Sequence, residues 1–140
     1  MAKALLVILA AAALAGCAKV DIKAAVPERI ARGTAGGELR HLVLFQWKAG
    51  TPPETIRAIE DKFRQLPKRI PEVAAFEWGT DVSVENLAQG YTHAFLVTFH
   101  DAKARDVYLP HPAHQDFVAL MKPHMEKVLV LDYYAKGPAR

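Results

Sequence analysis

Apolar residues recur along this chain with two different periods, and the switches between them mark its elements. In "LRHLVLFQW", residues 39–47, His41, Val43, Phe45 and Trp47 alternate with Leu42, Leu44 and Gln46. A period of two belongs to a β-strand, whose successive side chains point to opposite faces. Both faces of this strand are apolar, so both are expected to be covered. In "TPPETIRAIEDKFRQLP" the period changes, with Ile56, Ile59, Phe63 and Leu66 at helical spacing. Thr51 and Glu54 read as a capping box around first-turn prolines, and Pro67 reads as the stop.

The period of two returns in a second strand over 73–81. It returns again, after the polar connection "SVENLAQG", in "YTHAFLVTFH", residues 91–100. There His93, Phe95, Val97 and Phe99 share one face, and Ala94, Leu96, Thr98 and His100 the other. Asp101 is placed to cap a short helix that Pro110 stops. Pro112 opens a further helix, expected to reach about residue 127 with a kink at Pro123. The last strand is "VLVLDYY", residues 128–134, and a polar tail of 135–140 follows.

The resulting order, β-α-β-β-α-β with a broken second helical stretch, is that of a ferredoxin-like α+β sandwich. One sheet face must carry the helices. The other presents Leu42, Leu44, Ala94, Leu96 and either Val128 and Val130 or their alternates, which is too apolar to leave in water. A second copy of the sheet is the expected cover, giving a homodimer that closes into an α/β barrel.

The N-terminus changes this picture by adding an address. "MAKALLVILAAAALAGC" joins Lys3, an apolar run and small residues ahead of Cys17, the only cysteine of the chain. It reads as an export signal over 1–16, because the run falls short of the ~20 apolar residues that span a bilayer. "LAGC" resembles the lipobox of bacterial lipoproteins, which implies lipidation at Cys17. Residues 17–38 then form a tether ending in Gly33, Gly36 and Gly37. Alanine rather than aspartate at position 18 favours the outer membrane, by resemblance to sorting in hosts with two membranes. With one cysteine, no intramolecular disulfide is expected.

Charge excludes more than it suggests. The formal net charge of the 140 residues is +3, and loss of Lys3 with the signal leaves +2. The densest basic group, Lys62, Arg64, Lys68 and Arg69, falls where a helix end accommodates cations. Without a basic stripe, no nucleic-acid partner is expected.

Candidate chemistry concentrates in "YLPHPAH", residues 108–114, which holds two of the six histidines. One reading is architectural: Pro110 ends a helix, Pro112 starts the next, and His111 and His114 bond the backbone groups left open at the break. A metal site is disfavoured, since no carboxylate at ligand spacing completes the histidines.

The stretches "RHLVLFQWK", "WGTDVS", "GYTHAFLVTF" and "YLPHPAHQDFV" resemble, in order, the Dabb family of stress-responsive dimeric α/β-barrel domains. The resemblance covers residues 39–134 and implies the fold, the homodimer and a stress-related role. A plant member of the family is a cofactor-free cyclase that closes a linear polyketide by an aldol-type condensation. By that resemblance His114 would be the general base, Tyr108 its hydrogen-bonding partner, and His41, His93 and Phe63 would line the ligand pocket. No cofactor is implied. Imidazole suits such a role because its ordinary pKa of ~6.5 lies near neutrality. Three functions are therefore expected to compete: binding of a small apolar or enolisable ligand without turnover, cofactor-independent lyase or cyclase chemistry, and a purely structural dimer. An exported location argues against acyl-coenzyme A substrates, and Glu60 stands near where the plant enzyme places another pocket aromatic.

Overall fold

The computed structural model describes residues 37–136. The expected export signal, Cys17 and all but the last two residues of the expected tether lie outside them. Among the described residues, no helix is long and apolar enough to cross a membrane.

Strand β1 runs over Leu39–Trp47, followed by helix α1 over Pro53–Arg64 and a short helix α2 over Leu66–Arg69. Strands β2 (Val73–Thr80) and β3 (His93–Phe99) come next, then α3 (Ala102–Tyr108), α4 (Pro112–Met121) and β4 (Met125–Tyr134). The strands form one antiparallel sheet in the order β2-β3-β1-β4. This is the ferredoxin-like α+β fold.

Alternation on β1 is what the core is built on. Leu39, His41, Val43 and Phe45 are buried against the helices, and the intervening residues are half-buried on the far face. Phe63 of α1 carries the packing across the layers, with its ring 4.4 Å from that of Phe95 on β3 and 4.3 Å from that of Phe117 on α4. Burying a phenylalanine contributes about 1.5–3 kcal/mol. Three rings from three elements therefore hold the helices over the sheet.

Cross-strand partners lie on the same face. Register thus decides which β4 residues join the helix-free side. Leu129 faces Leu44 and Leu131 faces Leu42, whereas Val128 and Val130 face Phe45 and Val43 on the helix side. The alternates, not Val128 and Val130, complete the outer apolar face.

Three local expectations are corrected. Thr51 and Glu54 form no capping box: Pro52 occupies the cap position without a side-chain bond, and the Thr51 hydroxyl turns back to donate to the Lys48 carbonyl at 2.8 Å. Pro67 does not stop α1, which ends at Arg64. It sits instead in the first turn of α2, where a missing N–H costs nothing. Nor does α4 reach residue 127. It ends at Met121, and Pro123 lies in a 3-10 turn over Lys122–His124 that delivers the chain to β4 three residues earlier than expected. Proline cannot donate into an α-ladder, so a stop is favoured over a kink. The Asp101 cap is present, its carboxylate accepting the Ala104 N–H at 2.9 Å.

Candidate active site

The junction between α3 and α4 is shaped by its prolines. His111 precedes Pro112, a position kept out of the helical region by the proline ring, and its backbone is extended (φ −59°, ψ 133°). It therefore separates two helices and caps the second, its Nδ1 accepting the Ala113 N–H at 3.1 Å. One turn on, His114 closes the break from the other side. Its Nδ1 lies 2.8 Å from the Leu109 carbonyl, which also accepts from the Gln115 amide at 2.7 Å.

A carbonyl can only accept, so His114 Nδ1 carries the proton and donates it. The neutral ring then has its lone pair on Nε2. Burial, reinforced by the charges of His41 and His111, holds His114 below the ordinary histidine pKa despite the opposing carbonyl bond. The same hydrogen bond that splices the helices thus selects the basic tautomer.

Beside it stands Tyr108, the last residue of α3, whose ring centre lies 4.4 Å from that of His114 and 6.1 Å from that of His41. It is fully buried, and its hydroxyl has no hydrogen-bond partner among the described residues. Burial pushes the phenol well above its ordinary pKa, so it is a donor at every working pH. His41 reaches the same place from β1. Its Nδ1 lies 2.7 Å from Asp132 Oδ1 on β4, the residue opposite it in register. Asp132 Oδ2 in turn accepts from Arg105 Nη1 of α3 at 2.9 Å.

These groups share a cavity of about 310 Å³ between sheet and helices. His41, Tyr108, His114 and Asp132 stand in its wall, and Phe63, Phe117 and Val128 are among the apolar residues that make up most of the rest. No cluster of three His, Cys, Asp or Glu side chains that could hold a metal ion occurs among the described residues.

His93 is not in that wall. It pairs with Phe45, whereas His41 pairs with Val97, four residues along β3 and about 13 Å away at the usual strand rise. The Trp47 indole N–H donates to His93 Nδ1 at 3.0 Å, which requires the proton on Nε2, and Nε2 donates to Glu60 Oε1 at 2.9 Å. Both ring nitrogens are therefore taken: Nε2 ties α1 to the sheet through Glu60, and Nδ1 is held by Trp47 of β1. Glu60, noted in the sequence as a departure from the plant pocket, is the partner that takes His93 out of it.

The family model for Dabb, the Stress responsive A/B Barrel Domain, matches residues 39–135. The chain belongs to the Dabb family. It is 42% identical over 99 residues to the stress-response A/B barrel domain-containing protein HS1 of Arabidopsis thaliana, covering 71% of this chain and 91% of that protein. Olivetolic acid cyclase of Cannabis sativa is 30% identical over 95 residues, with 68% and 94% covered. Among solved structures, hydroxynitrile lyase from Passiflora edulis superposes with a TM-score of 0.70 at 29% identity, covering 75% of this chain and 99% of that one.

Within this Dabb chain, three participants were not singled out from sequence: Asp132, Arg105 and the Leu109 carbonyl. Asp132 did leave a signal, since it is the one charged residue in "VLVLDYY", and a carboxylate inside an apolar strand needs a partner. Arg105 left none, being one of several charges on a short helix. What the Dabb site can do chemically follows from its inventory: one imidazole with a free Nε2, one unspent hydroxyl donor and a second imidazole backed by a carboxylate, in largely apolar walls.

Proposed function

We propose that this chain is a homodimeric, cofactor-free acid–base enzyme of the lyase or cyclase type, acting on a small, mostly apolar molecule with an enolisable carbonyl or a comparably acidic proton. One observation carries the reading. The Leu109 carbonyl forces the Nδ1–H tautomer on His114, leaving Nε2 as a neutral base beside a hydroxyl with no other partner. A passive binding site has no need of either feature. The names of two similar proteins, a cyclase and a lyase, point in the same direction.

In the proposed step, His114 Nε2 takes a proton from the carbon next to the carbonyl. The C–H electron pair forms a carbon–carbon double bond as the carbonyl π pair moves to oxygen, and the Tyr108 hydroxyl stabilises the resulting enolate by hydrogen bonding. His41 orients the substrate. His114 later returns the proton, so no cofactor enters the balance. Apolar walls favour this chemistry, because a hydrogen bond to developing charge is worth more where water is excluded.

The homodimer is supported by the helix-free face, where Leu129 and Leu131 are exposed beside half-buried Leu42, Leu44 and Leu96. From the "LAGC" sequence we further propose export and lipid anchoring at Cys17 to the cell envelope, placing the domain in a stress-related role there.

The test is exchange of the methyl protons of acetophenone for deuterium in D₂O, followed by NMR, with wild type and His114→Asn. Asparagine Nδ2 can replace histidine Nδ1 at the Leu109 carbonyl but offers nothing in place of Nε2. Catalysed exchange is expected to fall by about 10²–10⁴-fold with the fold intact. Exchange no faster than with free imidazole in the wild type, or undiminished in the variant, overturns the reading.

A further inference from the structure

We propose that Arg105 is a positioning residue of this site: by clamping Asp132 it locks the His41 imidazole in one tautomer, with Nδ1 protonated and the lone pair on Nε2. The inference rests on the acid–base reading for its consequence but not for its geometry. Asp132 lies on β4, the edge of the sheet, and its side chain is 29% exposed. A carboxylate so placed is free to turn into water unless something holds it. Here both oxygens are taken, Oδ1 by His41 Nδ1 at 2.7 Å and Oδ2 by Arg105 Nη1 at 2.9 Å.

The clamp is itself anchored. Arg105 Nε and Nη2 both donate to Asp106 Oδ1, at 3.1 and 2.8 Å, so the planar fork is pinned at its base by the next residue of α3 while its far nitrogen reaches β4. Lysine, a point charge on a flexible stem, has no equivalent of this two-ended grip. The charges also fit the role. Arg105, Asp106 and Asp132 carry a formal sum of −1, and Asp132 presents its carboxylate to the Nδ1 side of the His41 ring. His41 and His114 then present matching chemistry, each with Nδ1–H donated to a protein oxygen, one to a carboxylate and one to a carbonyl.

An ordinary surface ion pair would contribute little to stability and nothing to tautomer choice. That difference is measurable. In the full chain labelled with ¹⁵N-histidine, nitrogen shifts report the tautomer of each ring, with His41→Gln assigning the signal. Wild type should show His41 as the Nδ1–H form alone. Arg105→Met and Asp132→Asn should both release it to a mixture with the Nε2–H form, and Arg105→Lys, which keeps the charge without the fork, should not restore it. The turnover number for acetophenone exchange should fall about ten- to a hundredfold in Arg105→Met, the range set by a charge-assisted hydrogen bond, with KM little changed.

An unchanged His41 tautomer in Arg105→Met overturns the proposal, as does full rescue by Arg105→Lys. A wild type that catalyses no exchange removes the acid–base reading instead, and the tautomer measurement still decides the role of Arg105.

Discussion

Removing the Tyr108 hydroxyl should make the protein more stable and less active. The hydroxyl is buried and has no partner among the described residues, and leaving such a group unsatisfied costs about 1–3 kcal/mol. Tyr108→Phe deletes that cost while keeping the ring, which packs 5.0 Å from Phe99 and 4.4 Å from His114 between centres. Taking the low end, a gain of about 1 kcal/mol in a domain near 100 residues raises Tm by about 4–8 °C. Function should move the other way, since loss of one donor to a developing oxyanion costs about 10²–10³ in rate. Calorimetry of the two proteins and the acetophenone exchange assay give both numbers. A lower Tm in the variant would show that the hydroxyl is satisfied in the folded protein. A higher Tm with undiminished exchange would show that Tyr108 is not the donor. Either result refutes the reasoning above, because the proposed role needs a hydroxyl whose partner is the substrate.

Three further outcomes follow from the structure. Exchange should persist into acid to a pH below the ordinary histidine value of ~6.5 before failing, because burial lowers the His114 pKa. Stability follows the same sign: the unfolded chain takes up the proton first, so the contribution of His114 is fully present above ~6.5 and is lost as pH falls through its lowered folded pKa. A pH–rate profile whose acid limb lies at or above the ordinary histidine range contradicts this. On the helix-free face, Leu131→Asp places a carboxylate where two sheets are proposed to meet, and an unpaired charge buried there is strongly unfavourable. Sedimentation velocity should then show a single subunit where the wild type shows two. A variant that stays dimeric puts the interface elsewhere.

Much of the architecture was legible before any coordinates, because the information is local. The alternation of His41, Val43 and Phe45, the helical spacing of Ile59 and Phe63, and the two prolines around His111 each determine a direction for the chain within a few residues. Asp101 announced its cap in the same way. The errors were also local, and each involved proline: Pro52, Pro67 and Pro123 are all compatible with more than one way of starting or ending a helix, and propensity does not choose among them.

Partner choice is where sequence alone ran out. Residues 41 and 132 are 91 positions apart, and only the antiparallel register of β1 with β4 sets that histidine against that carboxylate. The same register sent Leu129 and Leu131, rather than Val128 and Val130, to the outer face. His93 carries the opposite lesson. Its strand face was correct, yet the separation along β3 and the reach of Glu60 from α1 withdrew it from the cavity. Periodicity along a chain specifies which side of an element a residue occupies. Which polar group it meets there depends on how remote elements are brought into register: in this protein that tertiary choice gives His41 its carboxylate, whereas the His114 tautomer is set locally by the Leu109 carbonyl.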